Sequence, residues 1–157
     1  MGPTDSAMGL DASYPAHPLQ VATIRRAVSH VARRCGAGPA TLIRLELAVS
    51  EAATNAVLHA YRTPGSGGPI HVTAHVDGRF LDVCVRDSGV GMSPRVDSPG
   101  LGLGLSLMAH ESDSCEIRSA ADGGTEVYMR FELVTSAPSP HRRRFARADA
   151  LGAPATG

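Results

Sequence analysis

The sequence contains no lysine: all fifteen of its basic residues are arginine. That absence excludes two large classes of nucleotide enzyme. A Walker-type P-loop and a eukaryotic-type protein kinase each set a lysine against the phosphates, and neither can be assembled here. Asparagine is almost as scarce, with Asn55 its one occurrence. Lysine-free, alanine- and arginine-rich usage is what a GC-rich genome produces and carries no mechanism. Cysteine is sparse and odd in number, and Cys35, Cys84 and Cys115 have no metal-ligand spacing. Cys84 and Cys115 fall in apolar strand patterns, so they read as buried structural thiols. Formal net charge is zero, so no global field draws the chain to nucleic acid or a membrane. No apolar stretch is long enough to span a bilayer, and the N-terminus lacks a charged segment followed by an apolar run. The expected compartment is the cytoplasm. No internal repeat is visible.

What is present fits one domain of 157 residues. Residues 1–13 are small and polar and are expected to be loose. From Pro18, Val21, Ile24, Val28, Val31 and Cys35 recur at steps of three and four, one face of a helix ended by Gly36. Arg25, Arg26, Arg33 and Arg34 flank that stripe. A second helix runs from about Pro39 to about Tyr61, with Leu42, Leu45, Val49, Ala52, Ala56 and Ala60 as its core face. Glu51, Asn55 and His59 follow one another at four-residue steps and share a second stripe. An acid, an amide and an imidazole beside small alanines leave room for a ligand, although the stripe taken alone also describes a solvated face.

Strand patterns follow the proline- and glycine-rich turn at 63–68. Ile70, Val72, Ala74 and Val76 alternate with His71, Thr73 and His75, and Asp77-Gly78 is a hairpin signal. The next strand, Phe80 to Arg86, delivers Asp87 at its end. After a segment holding Pro94 and Pro99 come a helix at about 101–111, a strand at 115–119, a turn at Asp122-Gly123-Gly124 and a last strand at 125–133. Hairpin-linked strands with helices on one face make a two-layer α+β sandwich with a mixed, mostly antiparallel sheet. The tail from 135 is rich in proline, alanine and arginine and is expected to be disordered. Its Arg142, Arg143, Arg144 and Arg147 against Asp149 give it a charge of plus three, with Phe145 alone among them rather than the repeated aromatics of a nucleic-acid surface.

Three segments carry chemistry: Glu51-Ala52-Ala53-Thr54-Asn55, Asp87-Ser88-Gly89-Val90-Gly91, and Gly100-Leu101-Gly102-Leu103-Gly104. Each glycine pair alone describes a tight turn. Glycines at a helix N-terminus, however, let free N–H groups approach a phosphate. Two such loops around a short segment suggest a lid over a nucleotide, and the set suits phosphates that need a metal and backbone donors.

In these segments the sequence resembles the GHKL ATPase superfamily of gyrase, Hsp90, histidine kinases and MutL. Within it, the chain is similar to the small bacterial anti-sigma factor serine kinases. Residues 45–61 resemble their asparagine box, Asp87 to Met92 the first glycine box, Gly102 to Leu105 the second, and Gly123 to Val127 the closing strand. Tyr14-Pro15-Ala16 and the arginine-bearing first helix fit as well, so the likeness covers roughly 13–133. The resemblance implies a Bergerat-type ATP-binding domain over 14–134, between a flexible 1–13 and the tail at 135–157.

The same resemblance implies roles. Asp87 accepts a hydrogen bond from the adenine amino group, and Thr125 supports the adenine side. Asn55 ligates Mg²⁺, and Glu51 is the base for the attacking hydroxyl or water. Gly89 and Gly91 pass close to the nucleotide, and Gly102 and Gly104 open the helix near the phosphates. The implied activity is ATP-dependent phosphorylation of a serine on a STAS-type anti-anti-sigma partner, with capture of a sigma factor when that partner is unavailable. Homodimers are common in the family; direct nucleic-acid and membrane binding are not implied. Two other readings stay open: a non-catalytic ATP-binding interaction module, and a domain detached from a sensor histidine kinase. The chain departs from the family's pattern at Glu111 and Ser112, where apolar or small residues usually precede the aspartate, here Asp113. The lid at 93–99 holds Arg95 but lacks the charged residue often found directly before the second glycine box.

Overall fold

The structure, a computed structural model, describes residues 9–59, 68–89, 101–121 and 123–133. Within them the order is β1 (Gly9–Pro15), α1 (Pro18–Arg34), α2 (Pro39–His59), β2 (Pro69–Asp77), β3 (Phe80–Asp87), α3 (Leu101–Glu111), β4 (Ser114–Ser119) and β5 (Thr125–Glu132). The expected α+β sandwich is what forms.

Local chemistry sets the limits of α1. His17 caps it, its Nδ1 accepting the Leu19 N–H at 3.2 Å, and Pro18 fills the first turn where no N–H is needed. At the other end Gly36 turns with φ 89°, the Gly36 N–H donates to the Arg33 carbonyl and the Ala37 N–H to the Ala32 carbonyl. That pair of bonds is a Schellman stop, and Arg33 and Arg34 in the last turn complement the helix dipole. The arginine flank is also structural. Glu46 on α2 accepts from Ser29 at 2.9 Å and pairs with Arg33 at 3.2 Å, joining the two helices.

The sheet runs β1-β2-β3-β5-β4, and all its ladders in the described residues are antiparallel rather than mixed. The cause is the connection after β3. The chain reaches the outer position, β4, by way of α3, and the 120–124 turn then folds β5 back between β4 and β3. So β3 and β4 run the same way without touching.

One correction concerns the N-terminus. Residues 9–13, expected to be loose, form most of edge strand β1, paired with β2 from Gly9↔His75 to Pro15↔Pro69. Leu10, Ala12 and Tyr14 alternate with Asp11 and Ser13, a period-two pattern masked by its small residues. Residues 1–8 and the basic tail lie outside the described residues.

Alternate strand residues bury one face against the helices: Ile70, Val72 and Ala74, then Leu81, Val83 and Val85, then Val127, Met129 and Phe131. The opposite face is polar. There Arg130 grips Asp82 with two contacts of 2.6 Å, and its guanidinium lies 5.2 Å from the Phe80 ring centre. Cys84 opens onto this face, opposite Tyr128 and Thr73 in register, and Cys115 lies on edge strand β4. Both thiols are therefore half-buried rather than buried, and this partial burial pushes both thiol pKa values up.

The hydrogen bonds from Arg130 hold the Asp82 carboxyl below its ordinary pKa. A depressed carboxylate adds stability above the unfolded-state pKa and loses it as pH falls through the folded-state value. Asp82→Asn should therefore destabilise the protein at neutral pH by less than about 1 kcal/mol, because the pair is partly exposed and screened by water. In urea unfolding at several pH values, the gap to wild type should close in acid.

Candidate functional site

Helix α2 packs against β3 and β5 on one side and against α3 on another, and a cluster of chemistry-bearing residues lies in each direction. The first is at the end of β3. Alternation along that strand sends Asp87 to the helix-facing side with Leu81, Val83 and Val85, leaving it 6% exposed. A carboxylate so buried needs donors. Its Oδ1 accepts the Gly89 N–H at 3.0 Å and the Thr125 N–H at 3.4 Å. Thr125 is the cross-strand partner of Asp87 and is itself buried.

Sequence reading did not single out Gly124 as a site residue, and it belongs here. A β-carbon at Gly124 would lie 1.9 Å from the Asp87 carbonyl oxygen and 3.1 Å from Ser88 Cα. Only glycine lets the β5 backbone pass this close to the strand end. The signal was the paired glycines immediately before β5, which read as a turn and as the start of the closing strand's resemblance, with no role for Gly124 itself.

The second cluster lies on the seam between α2 and α3. Glu51 and Asn55, one helical turn apart and both half-buried, meet Gly104 of α3. A β-carbon there would lie 3.1 Å from Glu51 Oε2 and 3.4 Å from Asn55 Nδ2. Gly102 stands two residues earlier, in the first turn of α3. Gly91 and the lid lie outside the described residues.

Ala52 and Ala56 of α2 lie in the hydrophobic core as expected, and Ala48 and Ala53 join them there rather than lining a ligand space. Their small size lets the helix sit close to its neighbours.

Among the described residues no group of three or more His, Cys, Asp or Glu side chains could hold a metal ion. A divalent cation at Asn55 would draw most of its ligands from water and a bound anion. That is the coordination Mg²⁺ prefers beside phosphates, so the donor set fits Mg²⁺ and not a cation that needs a full protein cage.

Asp113, at the departure from the family pattern, is a clasp. Its carboxylate accepts the Glu132 N–H at 2.7 Å and Arg44 Nη2 at 3.1 Å, while its own N–H donates to the Arg130 carbonyl at 2.8 Å. It ties the α3–β4 corner to α2 and β5.

Comparison with known proteins agrees with this geometry. Residues 14–131 match the family described as Histidine kinase-like ATPase domain. The anti-sigma F factor of Pasteuria penetrans is 32% identical over 106 residues, covering 60% of this chain and 71% of that protein. The anti-sigma F factor of Shouchella clausii is 31% identical over 106 residues, covering 60% and 72%. The serine-protein kinase RsbW of Bacillus licheniformis is 33% identical over 135 residues, covering 76% and 82%. With the matched region running from the end of β1 into β5 and taking in both clusters, the chain belongs to the histidine kinase-like ATPase domain family.

Proposed function

We propose that this protein is an ATP-dependent serine kinase of the anti-sigma type, which phosphorylates an anti-anti-sigma partner and regulates a sigma factor. The observation that carries this reading is the α2–α3 seam, where one acid and one amide at helical spacing meet a glycine of the second glycine box. Likeness to anti-sigma F factors and to a serine-protein kinase over most of the domain supports the same reading.

When bound, Mg-ATP supplies the phosphoryl group to be transferred and the metal's neutralisation of phosphate charge. The chain's own residues bind and orient. Asp87, fixed through Oδ1 by two backbone N–H groups, presents its carboxylate to the adenine amino group. Thr125 holds the adenine side, and Gly89 and Gly91 allow the backbone to come near. Asn55 is the protein ligand to Mg²⁺. Gly102, in the first turn of α3, offers a helix N-terminal amide to the phosphates. Glu51 would take the proton of the partner's serine hydroxyl as that oxygen bonds to the γ-phosphorus and the bond from the phosphorus to the departing ADP breaks.

The partner is of STAS type in this reading, a second copy of the chain completes a homodimer, and the setting is cytoplasmic. Among the described residues no helix is long and apolar enough to cross a membrane.

Glu51→Ala is expected to abolish transfer of labelled phosphate while leaving ATP affinity within a few-fold. Loss of ATP binding instead would make Glu51 structural, and intact ATP held beside a partner by wild type would favour the non-catalytic module. Asp87→Asn is expected to weaken ATP by about 1–3 kcal/mol, because a buried acceptor is exchanged for a mismatched amide. Binding of GTP as tightly as ATP to wild type would remove the adenine role from Asp87.

A further inference from the structure

The two glycines of the second glycine box have different surroundings. With α3 starting at Leu101, Gly102 is its second residue and Gly104 its fourth. The earliest N–H groups of a helix lack a partner within it, whereas the fourth helical residue is the first whose N–H joins the helix's own ladder. Gly102 therefore has an amide to offer a phosphate. Gly104 does not, so something else must account for a glycine there.

The neighbours supply that account. A β-carbon at Gly104 would meet Glu51 Oε2 at 3.1 Å, Asn55 Nδ2 at 3.4 Å and Asn55 Oδ1 at 3.7 Å. The first of these is too tight to leave Glu51 where it is. All three atoms are side-chain ends, so the carboxylate and amide would shift while the helix backbones stayed in place. Glycine inside a helix is also less stable than alanine. Its presence costs α3 stability and leaves space for two side chains of α2.

We propose that Gly104 is a positioning residue, whose bare Cα sets where the Glu51 carboxylate and the Asn55 amide come to rest. The inference rests on the kinase reading for what those two groups do, but not for where they lie. It separates Gly104, a spacer between α3 and α2, from Gly102, an amide donor.

The test is Gly104→Ala in the full chain. Asn55 is the one asparagine in the sequence, so labelling asparagine with ¹⁵N gives a single side-chain amide pair in an NMR spectrum. The variant should melt at the wild-type temperature or higher, and its Asn55 pair should be displaced. Phosphate transfer should fall about tenfold or more, as expected for a small misplacement of a reacting group, with a smaller change in ATP affinity. Gly104→Ser should move the pair further. Glu51→Asp, which draws the carboxylate back by one methylene, should cost less transfer in the G104A background than in wild type.

An unmoved Asn55 pair in folded G104A overturns the proposal, as do independent effects of G104A and E51D. A lowered melting temperature overturns it too, because the helix backbones would then have given way. If wild type itself transfers no phosphate, the kinase reading fails while the Asn55 signal still decides the role of Gly104.

Discussion

Burying the carboxylate of Asp87 is the constraint around which one end of the domain is arranged. A carboxyl group at 6% exposure is tolerable only if hydrogen-bond partners meet it, and two backbone amides are among them here. One comes from the turn at Gly89, the other from Thr125 across the sheet. The second donor exists only because β5 lies next to β3 in the register that pairs Thr125 with Asp87. That register in turn needs a glycine at 124, where the two backbones nearly touch. Changing the strand order would take the Thr125 donor away from the carboxylate.

Helix α2 links this end of the sheet to the second cluster. Its alanines are committed to the core, which fixes the rotation of the helix. Rotation fixed by the core face carries Glu51 and Asn55 to the seam with α3. The polar bonds to Glu46 and the Asp113 clasp hold the same helix to α1 and β5. Packing and chemistry therefore occupy adjoining stripes of one helix, and a change on the core face would be felt in the site.

Much of this was legible before any coordinates. The apolar stripe from Val21 to Cys35, the alternation in β2 and β3 and the Asp77-Gly78 turn are strong periodic signals, and the elements formed where they pointed. The glycine boxes and the Glu51–Asn55 spacing marked the clusters. Strand β1 was missed because Gly9, Ala12 and Ser13 are small, and its strand character comes from pairing with β2. That Ala48 and Ala53 of α2 pack in the core beside the expected Ala52 and Ala56 was not legible, because composition shows size but not what fills the space. Gly124 and the difference between Gly102 and Gly104 depend on contacts between segments distant in sequence. Cys84 looked buried because apolar neighbours on both sides hide that it points to the other face of the sheet.

The central claim is that the residues of α2 and the end of β3 hold Mg-ATP. Calorimetric titration of ATP, with and without Mg²⁺, into wild type and Asn55→Ala tests it most directly. The account predicts magnesium-dependent binding to wild type that is lost in the variant. Absence of binding under every condition, or binding that Asn55→Ala leaves unchanged, would contradict it.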